Sequence, residues 1–183
     1  MRKLVFTISM LGAMMFALAV NAAAPANFAG TWTLDKAKSQ GISQRLQSAD
    51  SVQWIITQDG KLISIETKVT GGQAPAGGPP GGGGGGGMGG GRGPMGPQAY
   101  NLDGTETSSE NGPAKSTRKA TWSSDGKTLE LWSKTTFTGQ DGTERTSSTT
   151  DKLSQSADGK VLTVNRHAEG GRTPGDSTLV FNK

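Results

Sequence analysis

Ala120-Thr121-Trp122-Ser123-Ser124-Asp125-Gly126-Lys127-Thr128-Leu129-Glu130-Leu131 sets apolar side chains at every second position on both sides of an Asp-Gly pair. Alternation at period two marks a strand with one buried face. Asp-Gly is favoured in tight hairpin turns, where the central residues take positive φ. Residues facing each other across a two-residue turn must point to the same side of the sheet. Closing the chain on Asp125-Gly126 meets that condition, since Trp122 then faces Leu129 and Ala120 faces Leu131. The stretch is a β-hairpin.

Further Asp-Gly pairs stand at Asp59-Gly60, Asp103-Gly104, Asp141-Gly142 and Asp158-Gly159, most of them between runs rich in Thr, Val, Ile, Leu and Trp. Closing on Asp59-Gly60 sets Ile56 against Ile63, Trp54 against Ile65 and Val52 against Thr67. Closing on Asp158-Gly159 sets Leu153 against Val164 and Gln155 against Leu162. At Asp141-Gly142 a strict two-residue turn opposes Leu131 and Lys152, so one added residue, as in a bulged or three-residue turn, is expected to oppose Leu131 and Leu153 instead.

Strands are therefore expected near 30 to 35, 51 to 58, 61 to 70, 98 to 102, 115 to 123, 127 to 138, 143 to 156, 160 to 167 and 176 to 182. Residues 36 to 47, with Leu46 as apolar anchor, are expected to form a short helix or irregular crossing. Successive hairpins without helical crossovers make an antiparallel meander, and rolling the meander up removes its exposed edges. The expected fold is all-β, an antiparallel up-and-down β-barrel of eight or nine strands, with an open β-sandwich as the alternative. The outward positions carry Glu66, Lys68, Lys119, Glu130 and Lys152, which argues against the apolar outer band of a membrane barrel.

The chain opens with Met1, Arg2 and Lys3, continues with an apolar run from Leu4 to Val20, and reaches Asn21-Ala22-Ala23-Ala24-Pro25. A basic start, an apolar middle and a small-residue zone compose a cleavable signal peptide, residues 1–22, with cleavage after Ala22 or Ala23. The mature protein is expected to be periplasmic or extracellular, with no integral membrane segment. No cysteine occurs, so stability must come from an apolar core rather than disulfides. The formal charge of +4 includes Arg2 and Lys3, leaving the mature chain near +2 with its basic residues scattered. That balance gives no electrostatic case for a nucleic-acid partner.

Residues 71 to 97 are almost entirely glycine and proline. Such a tract buries too little apolar surface to offset the entropy of ordering it, and is expected to be a disordered loop interrupting a single domain spanning 23 to 183. It lacks the Lys-Ser/Thr ending and following helix of a phosphate-binding loop.

The segment Phe28-Ala29-Gly30-Thr31-Trp32-Thr33-Leu34 resembles the Gly-x-Trp opening of lipocalins and the similar opening of fatty-acid-binding proteins. The stretch Leu153-Ser154-Gln155-Ser156-Ala157-Asp158-Gly159-Lys160-Val161-Leu162-Thr163-Val164-Asn165-Arg166 and the ending Leu179-Val180-Phe181 resemble small secreted lipocalin-like bacterial proteins. The resemblance implies a barrel closed at one end by Gly30 and Trp32, and a small apolar or amphiphilic ligand within it. It further implies that an arginine near the end of the chain receives a ligand carboxylate. Two positions after Arg166, where those families often place a tyrosine, this chain has Ala168.

Strand parity gathers polar residues on the inner faces. Arg166 continues the face of Leu162 and Val164, Arg118 that of Ala120 and Trp122, and Asp151 stands two residues before Leu153, opposite Arg166. An enclosed guanidinium requires an anionic partner, because an unpaired buried charge costs on the order of several kcal/mol. Asp151 serves one arginine, and the other, Arg118 or Arg166, is expected to take a ligand carboxylate. Trp32, Trp54 and Trp122 share the inner faces, as core or as an aromatic ligand wall, while Trp132 lies outside beside Lys119. His167 is the only histidine and points outward, which leaves no multi-histidine metal site and no basis for a catalytic triad. No catalytic residue, metal or cofactor is assigned. Two functions follow, a small-ligand binder and a ligand-free structural or protein-interaction module of the cell envelope. The binder requires a cavity of at least about 300 Å³ where Ala120, Ser133 and Thr149 leave room.

Overall fold

The computed structural model describes residues 24–71, 95–139, 142–171 and 174–183. The expected signal peptide and residues 72–94 of the glycine tract lie outside them. Ten strands form one antiparallel sheet: β1 (Gly30–Leu34), β2 (Ser51–Gln58), β3 (Leu62–Thr70), β4 (Met95–Asn101), β5 (Thr107–Asn111), β6 (Ala114–Trp122), β7 (Thr128–Thr138), β8 (Glu144–Gln155), β9 (Val161–Gly170) and β10 (Gly175–Asn182). Among the described residues one five-residue helix, α1 (Gln44–Ser48), sits between β1 and β2. The strand order β4-β3-β2-β1-β10-β9-β8-β7-β6-β5 is the chain order wrapped into a ring and left open between β4 and β5. The result is a nearly closed up-and-down barrel, and the lower part of β4 rests against β6 across the seam.

Two expected boundaries change. The strand count rises to ten because Thr107–Asn111 pairs with β6; its residues are polar and mostly exposed, so no apolar alternation announces it. The glycine tract ends earlier than expected, since Met95 to Pro97 already belong to β4 and Met95 pairs with Thr67. Both seam strands carry features that discourage edge pairing: β4 holds Pro97, and β5 is short and hydrophilic.

The hairpin registers at Asp125-Gly126 and Asp158-Gly159 are as read from the sequence, with Trp122 facing Leu129, Ala120 facing Leu131, Leu153 facing Val164 and Gln155 facing Leu162. The other two shift by a pair while keeping the same faces inward. At Asp59 the turn centres on Gly60-Lys61, so Ile56 faces Ile65, Trp54 faces Thr67 and Val52 faces Val69. Between β7 and β8 the register lies one pair from the bulged one expected, and Leu131 meets Asp151 while Leu129 meets Leu153.

None of the turns at Asp59, Asp103, Asp125 and Asp158 sets two residues in the left-handed region. Among the described residues only glycines have positive φ, Gly126 at 67° and Gly159 at 69° for example. The aspartates contribute their side chains instead. In Ser123-Ser124-Asp125-Gly126-Lys127-Thr128, Asp125 Oδ1 accepts from Ser123 Oγ at 2.6 Å and Lys127 N at 3.0 Å, while Ser123 Oγ accepts from Thr128 N at 2.9 Å. Ser156-Ala157-Asp158-Gly159-Lys160-Val161 repeats the arrangement, with 2.6, 3.2 and 2.9 Å at the corresponding bonds. Asp59 and Asp103 accept from backbone N–H groups two residues on in the same way.

Alternating strand direction puts all four of these turns at one end. The segment before β1 closes that end: Ala26 N donates to Gly126 O at 2.9 Å, Gln58 bonds both Phe28 N and Ala26 O, and Phe28 stacks on Trp122 with centroids 6.0 Å apart. Above them lies a filled core of Trp32, Trp54, Ile63, Leu129, Leu153, Leu162, Val164 and Phe181, all buried. The opposite end carries α1, the end of β3, the start of β4, the turn at 112–113, the end of β7 and the start of β8.

Hydrogen bonds hold Asp125 and Asp158 below the usual carboxylate range, from Ser123 and Lys127 in the first and from Ser156 and Lys160 in the second. A carboxylate whose folded pKa is depressed contributes stability above its unfolded pKa and loses it as pH falls through the folded one. Asp125→Ala and Asp158→Ala are expected to lower the urea midpoint at neutral pH. Their deficit should shrink as pH drops below the ordinary aspartate value of about 3.9. A deficit unchanged in acid would assign the turns' contribution to glycine and serine rather than to the carboxylates.

Candidate functional site

The ladder from β5 to β10 stacks inward residues in ranks. The lowest full rank, Trp122, Leu129, Leu153, Val164 and Leu179, is apolar. The next reads Ala120, Leu131, Asp151, Arg166 and Ser177, and the one above it Thr107, Arg118, Ser133, Thr149 and Ala168. A final rank holds Ser109, Ser116, Thr135 and Ser147. The interior thus changes from hydrocarbon to charge to hydroxyl on going from the closed end to the open one.

Asp151 and Arg166 face each other directly and form a bidentate pair, Arg166 Nε to Oδ1 at 2.7 Å and a terminal nitrogen to Oδ2 at 2.8 Å. Asp151 is 8% exposed, the single buried charged residue among those described. The guanidinium lies over Trp54, 5.8 Å from the ring centroid. Burial works against the Arg166 charge, but the Asp151 bonds and its negative charge outweigh that, and the pKa is raised. Arg166 is thus already neutralised, and of the two arginines only Arg118 lacks a carboxylate within ion-pair distance among the described residues. Arg118 donates to Ser109 Oγ at 3.2 Å.

Tyr100, on β4, completes the group. Its ring is buried and its hydroxyl bonds Gln98 Oε1 at 3.3 Å. Burial raises its pKa and Asp151 adds to the rise, while Arg118, Arg166 and Ser133 pull the other way; the phenol therefore sits amid both arginines and the aspartate. Thr107 Oγ1, beside Arg118 across the β5–β6 ladder, is buried without a hydrogen-bond partner.

The structure brings together Asp151, Arg166 and Trp54, with Arg118 one rank higher. It does not bring Trp122 to them, because that ring stacks on Phe28 at the closed end. Trp32 is fully buried there and donates its indole N–H to Phe28 O at 2.8 Å, and Gly30 beside it has φ 143°, which suits glycine. His167 points outward between Asp176, at 2.6 Å, and Glu169, at 3.6 Å. Tyr100, Thr107 and Ser109 are members that sequence reading missed. Tyr100 is the chain's one tyrosine, and no local pattern places it beside the arginines, because β4 and β5 do not pair across Asp103-Gly104.

Ala120 is fully buried within the core and does not line the recess. Room appears higher up. A recess of about 310 Å³ opens between the lip residues Ile42 and Leu46 and the inward residues Ser147, Thr149, Ala168 and Leu179. Of the three small residues expected to leave space, Thr149 lines it and Ser133 stands one strand away in the same rank. A second hollow of about 430 Å³ lies outside, between Gln40 and the outward side of β8 to β10 at Thr150, Asn165 and His167.

These features define a nearly closed antiparallel β-barrel with one filled end and one hydroxyl-lined end. Compared with known proteins, the chain matches no family model and no curated protein.

Removing one member of an enclosed ion pair leaves the other charge without compensation. Asp151→Ala is expected to cost about 2 to 3 kcal/mol in urea unfolding, at the low end for such pairs because the Arg166 side chain is 30% exposed. Adding Arg166→Met to that variant should recover part of the loss. No recovery would mean that Asp151 acts through packing rather than through charge.

Proposed function

We propose that the protein is an exported, lipocalin-like binding protein whose ligand is a small amphiphilic carboxylate seated at the open end. The observation that carries this reading is the state of Arg118. It lies in a rank of hydroxyls, with no carboxylate partner among the described residues, next to the unpartnered Thr107 Oγ1 and near Tyr100. A guanidinium fork matches a carboxylate in two parallel bonds.

From Arg118 on β6 to Ala168 on β9 is three strand spacings, about 14 Å at the usual inter-strand distance. A ligand laid along Ser133 and Thr149 would end at the apolar lip of Ile42, Leu46 and Leu179. The filled lower barrel leaves no room for a long hydrocarbon chain, so a medium-length ligand with polar groups along its body suits the site better than a long fatty acid. The same filled core favours the second reading, a ligand-free envelope module.

Trp54 lies under Arg166 and provides the readout. Titration with medium-chain carboxylates, and with alcohols of equal length, is expected to give saturable quenching for the acids alone. Arg118→Gln should weaken binding about tenfold to a hundredfold, the worth of charge-assisted hydrogen bonds. Acids and alcohols behaving alike, or no saturation with either, would leave the ligand-free module as the reading.

A further inference from the structure

The chain contains five Asp-Gly pairs and one Asn-Gly pair, Asn111-Gly112. A side chain followed by glycine is where a backbone amide nitrogen most easily attacks the preceding side-chain carbonyl, because no Cβ obstructs ring closure. In the four described Asp-Gly turns this attack is opposed once by the carboxylate, and in two of them a second time by the glycine N–H. The carboxylates are pinned by hydrogen bonds that keep them ionised, and an ionised carboxylate is a poor electrophile. At Gly126 and Gly159 the attacking N–H is itself engaged, donating at 2.9 Å to Ser123 O and Ser156 O.

Asn111-Gly112 has none of this protection. Asn111 ends β5, an edge strand paired on one side alone, and both residues are exposed. Neither the Asn111 carboxamide nor the Gly112 N–H has a partner among the described residues. A Cβ built on Gly112 would meet nothing within 4 Å, so ring closure meets no obstacle and water has access. The amide is also neutral, and needs no proton before it can be attacked. The end of such a strand opens at little free-energy cost, which supplies the backbone rotation that cyclisation requires.

We propose that Asn111 is a site of spontaneous deamidation. Gly112 N gives its proton to solvent and attacks Asn111 Cγ, the bond from Cγ to the side-chain nitrogen breaks, and ammonia leaves as a succinimide forms. Water then opens either carbonyl of the ring, giving aspartate or isoaspartate at position 111. Either product places a new carboxylate next to Glu110, which pairs with Lys115 at 3.2 Å. Isoaspartate also adds a carbon to the main chain and disrupts the Asn111–Ala114 pairing that closes the β5–β6 turn. Since β5 covers Arg118 through Thr107, ageing at its tip loosens that side of the hydroxyl-lined end, whatever the ligand.

The test ages the whole mature protein in mildly alkaline water enriched in heavy oxygen and maps its peptides by mass spectrometry. The peptide containing Asn111 should convert to acid, take up the label and split into aspartate and isoaspartate forms. It should do so before Asn27, Asn101, Asn165 or Asn182 deamidates and before Asp59, Asp103, Asp125 or Asp158 isomerises. Asn111→Gln, whose cyclisation needs a larger ring, should abolish the conversion. An intact Asn111 in aged protein, or another of these residues reacting first, overturns the proposal.

Discussion

The barrel depends on β1. Among the described residues this five-residue strand is the one ladder link between the β2–β4 part of the sheet and the β5–β10 part. It pairs with β2 from Gly30 to Thr33 and with β10 only at Thr33 and Leu34. So brief a ladder cannot hold two sheet fragments by backbone bonds alone, and side chains supply the rest. Trp32 is buried against the core and tied to Phe28 O, while Lys183 from the end of β10 lies 5.1 Å over its ring. Phe28 in turn reaches Trp122 on β6, so the closed end connects strands that the ladder leaves apart.

Segregation of the two ends follows from the same topology. In an up-and-down sheet alternate connections fall on opposite ends, and here the turns at Asp59, Asp103, Asp125 and Asp158 fall with the filled core. The other end receives the glycine tract, whose composition suits it for linking strands and not for packing. The apolar ranks are supported by rigid turns whose aspartates satisfy backbone N–H groups, and the hydroxyl ranks open toward α1, a helix with no buried residue of its own.

How far the sequence could be read depends on what each signal is sensitive to. Face parity survives an error of two residues in register, because side chains alternate with period two. Asp151 opposite Arg166 was legible because the Asp158-Gly159 register is as read, while parity alone kept Leu131 and Ile56 inward where the β7–β8 and β2–β3 registers each lie one pair away. Strand β5 was not legible, because Thr-Ser-Ser-Glu-Asn carries no apolar alternation and is held by its neighbour β6, a tertiary cause. Tyr100 was lost with it: its place opposite Arg118 is fixed by the seam, where β4 meets β6 without a ladder, and no local pattern encodes an unpaired closure. Trp122 shows the converse. Its inward parity was right, but parity places a residue on a face and not at a height, and it stands at the opposite end from the polar mouth.

Height decides the electrostatics. Asp151 and Arg166 occupy the first rank above the hydrocarbon core, where a single charge would be uncompensated, and they neutralise each other with both oxygens engaged. One rank higher, Arg118 has Ser109, Ser133, Thr107 and Tyr100 around it instead of a carboxylate. Hydroxyls solvate a cation with their oxygens and leave its charge intact, so among the described inward residues Arg118 remains a guanidinium without a carboxylate partner. An apolar barrel closed around such a charge would be unstable; a barrel that ends there, in ranks of serine and threonine open toward the lip of Ile42 and Leu46, tolerates it. The same gradient that lets Arg118 remain unpaired makes it the interior group with most to gain from an anion.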